Sequence, residues 1–201
     1  MKYYIGFDIS TSNVGMCVLS ESGSILMLKH FNLKISKDVP KDLRLFVKAD
    51  AFEKSIIDNK RVLIEKYGDK LGGIFIEEPL IASNNQFTAS LLQKFNGMAS
   101  HILYKTFNKD IEFISVHESR QLFCPEFVTH KIVKQVPKKT LSFPKGIDKK
   151  LYILEKISKH EPNVTWLYDK NNKLKVESFD MSDSVCVVTA KLVQKEIIKA
   201  Y

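Results

Sequence analysis

The opening of the chain decides its fold, because residues 3–33 read YYIGFDISTSNVGMCVLSESGSILMLKHFNL. Three apolar runs lie in this stretch, from Tyr3 to Ile9, from Val14 to Leu19 and from Ile25 to Leu33, with Ser and Gly residues between them. Short apolar runs bounded by turn-forming residues are typical of β-strands. We therefore predict three antiparallel strands joined by tight turns.

Helical and strand-like segments then alternate along the chain. Apolar residues recur at helical spacing, or form short buried runs, in segments that Gly and Pro separate. The predicted elements are a helix from about Asp42 to Tyr67, a strand from Gly73 to Glu77, a helix from Gln86 to Phe107, a strand from Ile111 to Val116, and helices at about Asp148 to Lys159 and Asp180 to Lys199. This order predicts an α/β fold with a five-stranded mixed sheet, three antiparallel strands followed by two parallel ones, flanked by helices.

Two segments interrupt this alternation. Residues 129–150 read THKIVKQVPKKTLSFPKGIDKK, with seven lysines and two prolines, which predicts a mobile basic connection. From Val164 to Glu177, the triplets WLY and LKV flank DKNNK, which is typical of a hairpin. At 201 residues, the chain is expected to form a single domain.

The composition favours a soluble protein with an anionic partner. The chain has 31 Lys and Arg against 23 Asp and Glu, a formal charge of +8. This balance favours a polyanion such as nucleic acid, although a solvated basic surface explains it equally well. Three widely spaced cysteines form no C-x-x-C pair, and no leader or membrane-length apolar stretch is found. These features predict a cytosolic protein.

Four acidic residues occupy unusual places in this pattern. Asp8 interrupts the first strand, Glu77 ends the fourth, and Asp180 and Asp183 are expected to open the last helix, three residues apart on one face. If the first and fourth strands are parallel, Asp8 and Glu77 are neighbours. Carboxylates that converge without an Arg or Lys between them repel one another unless a dication neutralises them. Oxygen ligands select Mg²⁺ or Mn²⁺, and two such ions can promote phosphodiester cleavage.

Each of these residues also has an ordinary structural explanation. Asp180 alone is a good helix N-cap, and Asp183 a common solvated residue of a first turn. Asp8 and Glu77 are harder to explain structurally, because acidic side chains are disfavoured in runs such as IGFDIS and GIFIE. Their occurrence together favours a metal site.

The chain resembles the RuvC family of Holliday junction resolvases, in the ribonuclease H-like superfamily. The resemblance rests on IGFDISTSNVGMCVLSESG (residues 5–23), IFIEEPLIASNNQFTASLLQKFNGMAS (residues 74–100) and FDMSDSVCVVTAKL (residues 179–192). It implies that Asp8, Glu77, Asp180 and Asp183 bind two Mg²⁺ ions, for which Mn²⁺ could substitute. It further implies a homodimer that makes paired nicks in a four-way DNA junction. The longer basic and hairpin segments look more like phage or viral relatives, in a bacterial or virus-infected cell.

The resemblance also suggests residues that contact DNA or the second subunit. Gly97 fits the small residue on the helix at the two-fold interface. Leu80, where bacterial relatives usually carry an aromatic wedge, is a candidate for a smaller wedge. Phosphate contacts are expected from Arg120 and from three lysines, Lys145, Lys149 and Lys150, for which a solvated charged loop is an equally good explanation.

Two other functions compete with the nuclease. Actin-like ATPases and sugar kinases share the βββαβα start and carry a phosphate loop after the first strand. Here Asp8 is followed by Ile9, Ser10 and Thr11, and eight glycines in the chain leave little room for a second glycine-rich phosphate segment. The other alternative is a DNA-binding relative that does not cleave, against which all four expected carboxylates argue.

Overall fold

A five-stranded mixed sheet forms the centre of the computed structural model. The model describes the backbone of residues 1–79, 85–133 and 136–200, and the side chains of all of these except residues 130–133 and 136–138. The strands are β1 (Tyr3–Ile9), β2 (Asn13–Ser20), β3 (Ile25–Asn32), β4 (Leu71–Glu77) and β5 (Ile111–Ile114), in the order β3-β2-β1-β4-β5. The first three are antiparallel, and β4 and β5 run parallel to β1. The predicted fold class is therefore confirmed.

Helices cover both faces of this sheet. The helices are α1 (Arg44–Tyr67), α2 (Gln86–Phe107), α3 (Val116–Phe123), α4 (Lys149–His160) and α5 (Val176–Gln194). Helices α1 and α2 enclose one core with alternate residues of the strands, among them Phe7, Phe52 and Phe95. On the other face, α5 lies against the sheet with α3 and α4 outside it, so α5 is buried from Met181 to Leu192. None of the described helices is long and apolar enough to cross a membrane.

Two glycines allow α5 to approach the sheet closely. A Cβ atom added to Gly6 on β1 would lie 2.7 Å from the carbonyl oxygen of Ser184, and one added to Gly15 on β2 would lie 2.0 Å from that of Asp180. Both distances are far below van der Waals contact, so only glycine fits at these crossings. The close approach brings the first turns of α5 directly over the ends of β1 and β2.

The end of β5 differs from the prediction. The strand stops at Ile114, and Val116 already belongs to α3. The side chain of Ser115 accepts a hydrogen bond from the backbone N–H of Glu118 and so caps this helix. The S-x-x-E pattern of residues 115–118 is the usual sign of such a cap, and it places Arg120 on a helix.

Most of the segment predicted as a mobile basic connection forms two strands that were not predicted. It contains β6 (Val128–Val133) and β7 (Val136–Leu141), which pair as an antiparallel ribbon. Val, Ile and Thr are frequent in both strands, and such β-branched residues favour extended backbone even where lysines are numerous. Residues from about 142 to 148 form the loop that leads into α4.

The last two elements also have different bounds from those predicted. The expected hairpin at Val164–Glu177 is reduced to a single bridge between Tyr168 and Leu174. The last helix starts at Val176, four residues before Asp180, and the Ser178 hydroxyl in its first turn accepts from the N–H of Leu167 and donates to the carbonyl oxygen of the same residue. It also ends earlier, at Gln194 rather than Lys199.

Candidate active site

Two of the predicted carboxylates lie in one row of residues that are paired across neighbouring strands of the sheet. Gly15 pairs with Asp8 on one side and with His30 of β3 on the other. On β4, Ile76 pairs with Phe7, and this parallel register places Glu77 beside Asp8. Asp8 and Glu77 therefore lie next to each other at the carboxyl ends of β1 and β4, as the sequence predicted.

Helix α5 brings the other two carboxylates over this row. The Asp180 backbone lies against Gly15, the strand partner of Asp8. Asp183 follows three residues later, so it points to the same side of the helix. Both residues lie within α5 and neither caps it, because the helix already begins at Val176. The structure thus brings all four predicted acidic residues to one place.

The carboxylates affect one another's ionisation. Burial, followed by the negative charges of Glu77, Asp183 and Asp180, raises the pKa of Asp8 well above its ordinary value. Burial and Asp183 raise the pKa of Glu77 to about 7, against the opposing influence of Arg120 and Lys150. Burial also raises the pKa of Asp180 to about 6. Negative charge is therefore in excess in the cluster, and the ionisation of all four carboxylates at once is unfavourable.

Two cationic side chains lie among the carboxylates, whereas the sequence suggested carboxylates that converge without an Arg or Lys between them. Asp183 is buried, and its two oxygens lie 3.4 Å from Arg120 Nη2 of α3 and 3.3 Å from Lys150 Nζ of α4. Burial lowers the pKa of Lys150, but Asp183, Asp8 and Asp180 outweigh that effect and raise it overall. Two of the predicted DNA-contact residues are thus near the carboxylates.

The donors of this cluster suit a hard divalent cation. All are carboxylate oxygens, which Mg²⁺ and Mn²⁺ prefer. The Oδ2 atom of Asp180 is buried without a hydrogen-bond partner, and in the described part of the chain neither Asp8 nor Glu77 forms an ion pair. Among the described residues, no three side chains of His, Cys, Asp or Glu are grouped around one point as ligands. The carboxylates would therefore have to move closer together to bind an ion.

His30 belongs to this site although the sequence analysis did not single it out. Its Nε2 atom lies 3.9 Å from Asp180 Oδ2, and both atoms are buried without a hydrogen-bond partner. Burial lowers the pKa of His30, which favours the neutral imidazole. Only the pairing of β3 with β2 brings His30 to this row, so no local pattern could have identified it.

The remaining predicted contacts lie farther from the cluster or outside the description. Lys149 extends over the ring of Phe143, with Nζ 5.8 Å from its centroid, and Lys145 is exposed in the preceding loop. Leu80, the proposed wedge, falls outside the described residues. Gly97 is exposed on α2, with nothing within 4 Å of an added Cβ atom. These positions are consistent with contacts to other molecules but do not themselves identify any.

Solved structures share this arrangement of strands and helices. The structure of T. thermophilus RuvC in complex with a Holliday junction substrate matches with a TM-score of 0.63 at 9% identity, over 98% of this chain and 96% of that one. The yeast mitochondrial Holliday junction resolvase Ydc2 matches with a TM-score of 0.54 at 11% identity, over 96% and 79%. No family model and no curated protein matches the sequence significantly. At such identities the likeness concerns the fold, and the chain has the ribonuclease H-like fold of RuvC and Ydc2.

Proposed function

We propose that this chain is a crossover junction endodeoxyribonuclease, which nicks branched DNA with the help of divalent metal ions. The observation that carries the proposal is the convergence of Asp8, Glu77, Asp180 and Asp183 at one end of a RuvC-like sheet. Buried carboxylates that raise one another's pKa are unfavourable for stability, so such a cluster suggests function. Its donor chemistry is that of a site for two Mg²⁺ ions, with Mn²⁺ able to substitute.

Each carboxylate has a defined part in this proposal. Asp8 and Glu77, held rigidly by adjacent strands, would form one side of the metal site, and Asp180 and Asp183 on α5 the other. When bound, the ions would supply an activated water and neutralise the departing oxygen of the phosphodiester. The neutral His30, with Nε2 now 3.9 Å from Asp180 Oδ2, would orient that carboxylate by a hydrogen bond once the two side chains move closer together.

Arg120 and Lys150 would act as exchangeable counterions. In the structure they neutralise Asp183. With ions present, that neutralisation becomes unnecessary, and both side chains would be available to the phosphate groups of the substrate. Lys150 suits this exchange better, because its side chain is about half exposed, whereas that of Arg120 is only 19% exposed. We propose a DNA contact for both residues, with Lys150 the more accessible of the two.

The proposed substrate is a four-way DNA junction, cut as paired nicks by a homodimer. The formal charge of +8 suits a polyanion. One of the similar structures, T. thermophilus RuvC, was solved with a Holliday junction substrate bound. For the dimer, α2 is the candidate surface, because Phe87 is 73% exposed, Tyr104 is 50% exposed and Gly97 leaves room for close approach. A phage or viral origin, and action in the cytoplasm of a bacterium or infected cell, remain part of the proposal.

Cleavage of a labelled four-way junction tests the proposal. With Mg²⁺ and each strand labelled in turn, the wild-type protein should make symmetric paired nicks, and Asp8→Asn and Glu77→Gln should lose them while still binding the junction. Glu78→Gln is the matched control, because Glu78 is the exposed neighbour of Glu77 and should retain cleavage. A wild-type protein that binds the junction but never cuts it with Mg²⁺ or Mn²⁺ would refute the nuclease. Flaps, Y-forks and three-way junctions in the same assay define the range of substrates.

A further inference from the structure

A group of basic side chains lies at the same end of the sheet as the carboxylates, on the side of α1. Four cationic side chains, which we call the α1 basic cluster, line a cavity of about 200 Å³ together with Ser12 and Ser36; they are Lys34, Lys37, Arg44 and Lys48. No acidic residue is among the described residues that line it. The nearest carboxylate in sequence, Asp38, is exposed and accepts a hydrogen bond from Ser36. The cavity, which Ile35 also lines, is thus open and positively charged.

Backbone carbonyls hold the two inner cations of this cluster in place. Arg44 donates from Nε to the carbonyl oxygen of Val39 at 3.0 Å and from Nη2 to that of Lys37 at 2.9 Å. Lys48 donates from Nζ to the carbonyl oxygen of Thr11. An arginine has five N–H donors and a lysine three, so both side chains keep donors for a further acceptor. Neither forms an ion pair within the described part of the chain.

Within the part of the chain that the structure describes, no ion pair compensates the charge of the cluster. Lys48 is partly buried, and burial, followed by the positive charge of Arg44, lowers its pKa. Crowding cations without a counterion is unfavourable unless an anion binds there. The two lysines at the rim, Lys34 and Lys37, are exposed and free to reach such an anion.

The position of the cluster relates it to the carboxylates. The contact of Lys48 is with Thr11, three residues beyond Asp8, in the turn that joins β1 to β2. Three residues of extended chain span at most about 11 Å. One strand of DNA carries a phosphate about every 3.4 Å along its axis, so this distance corresponds to about three nucleotides. A strand crossing this edge of the sheet would meet both sites.

We infer that the α1 basic cluster binds a backbone phosphate of the cut DNA strand, within about three nucleotides of the cleaved bond. The inference rests on the proposed function, since it takes the carboxylates as the place of cleavage. The cluster would therefore contact the nucleic-acid backbone and would not recognise the base sequence. Lys48 and Arg44 form the fixed base of this phosphate site, and Lys34 and Lys37 close it from the solvent side.

Binding of a fluorescent four-way junction without divalent metal tests the site. The variant Lys34→Gln/Lys37→Gln removes the two exposed lysines, and Lys54→Gln/Lys66→Gln removes two exposed lysines of α1 outside the cavity lining. Each phosphate contact contributes about 0.9 to the slope of log affinity against log salt concentration. Because the cluster contacts one phosphate, the first variant should bind about tenfold more weakly at 0.1 M salt, with a slope shallower by about one. The control should keep the wild-type slope.

Neutral phosphates in the DNA locate the contact. A methylphosphonate within about three nucleotides of the cleaved bond should weaken binding by the wild type more than binding by Lys34→Gln/Lys37→Gln, which keeps only Lys48 and Arg44 at the site. An equal loss of slope in both double variants, or no loss in either, would overturn the phosphate site. A protein that binds DNA with this pattern but never cuts it would instead refute the nuclease and leave the phosphate site standing. If the wild type binds no DNA, both proposals fail.

Discussion

Replacing Glu77 with Gln is expected to stabilise the metal-free protein at neutral and alkaline pH. Burial and Asp183 raise the pKa of Glu77 from its ordinary 4.5 to about 7. The folded protein therefore holds this proton more tightly than the unfolded chain does. Ionising Glu77 lowers the free energy of unfolding as pH rises from about 4.5, and the penalty is complete above about pH 7. At about 1.4 kcal/mol for each pH unit, the penalty reaches about 3 kcal/mol.

Urea unfolding in EDTA at pH 5, 6, 7 and 8 measures this penalty. Gln has nearly the shape of Glu and no charge to lose, so the variant should exceed the wild type by about 3 kcal/mol at pH 8 and by much less at pH 5. Mg²⁺ at one hundred times its dissociation constant should remove most of this difference at pH 8, because the wild type then gains about 2.7 kcal/mol from binding the metal and the variant lacks one ligand.

Glu78→Gln controls for the change in net charge. Glu78 follows Glu77 directly and its side chain is exposed, so its substitution makes the same change in net charge outside the buried cluster. The reasoning is refuted if the difference between Glu77→Gln and wild type stays constant from pH 5 to 8, or if Glu78→Gln produces the same growing difference. Either result would mean that burial and the neighbouring carboxylate do not raise the pKa of Glu77.

Three further substitutions test other parts of the structure. Gly15→Ala would place a methyl group against the Asp180 carbonyl, so the free energy of unfolding measured in urea should fall by about 1–3 kcal/mol, and junction cleavage should fall with it. Lys150→Gln leaves Asp183 with one cationic partner, so the free energy of unfolding measured by thermal unfolding in EDTA should fall by about 1 kcal/mol. Stabilisation by Mg²⁺ should then increase, and unchanged stability would contradict the ion pair. Gly97→Arg fills the open space on α2 and should yield a monomer in size-exclusion chromatography, whereas an unaltered dimer would place the interface elsewhere.

The strand order and the first two carboxylates could be predicted from the sequence because local patterns determine them. Apolar runs fix β1 and β4, and an acidic residue inside such a run is conspicuous wherever it occurs. The parallel register then places Asp8 beside Glu77. Asp180 and Asp183 lie on the last helix as predicted, but not at its start, since the helix already begins at Val176.

The rest of the site depends on contacts that no local pattern reveals. His30 reaches the row only through the pairing of β3, and Arg120 and Lys150 come from helices on the outer layer. The α1 basic cluster gathers lysines fourteen positions apart, with Asp38 and Asp42 between them in sequence. No run of like charge is visible there, so only the folded chain brings these side chains together.

The two glycine crossings have a consequence for the precision of the site. Where side chains separate a helix from a sheet, their rotamers can adjust and the helix can slide. Here main chain touches main chain at Gly6 and Gly15, so shifting α5 by a single residue would drive a neighbouring side chain into a strand. Spacing between the acidic groups of the helix and those of the sheet is thereby set by peptide geometry, and it should vary little with temperature or with substitutions elsewhere in the core.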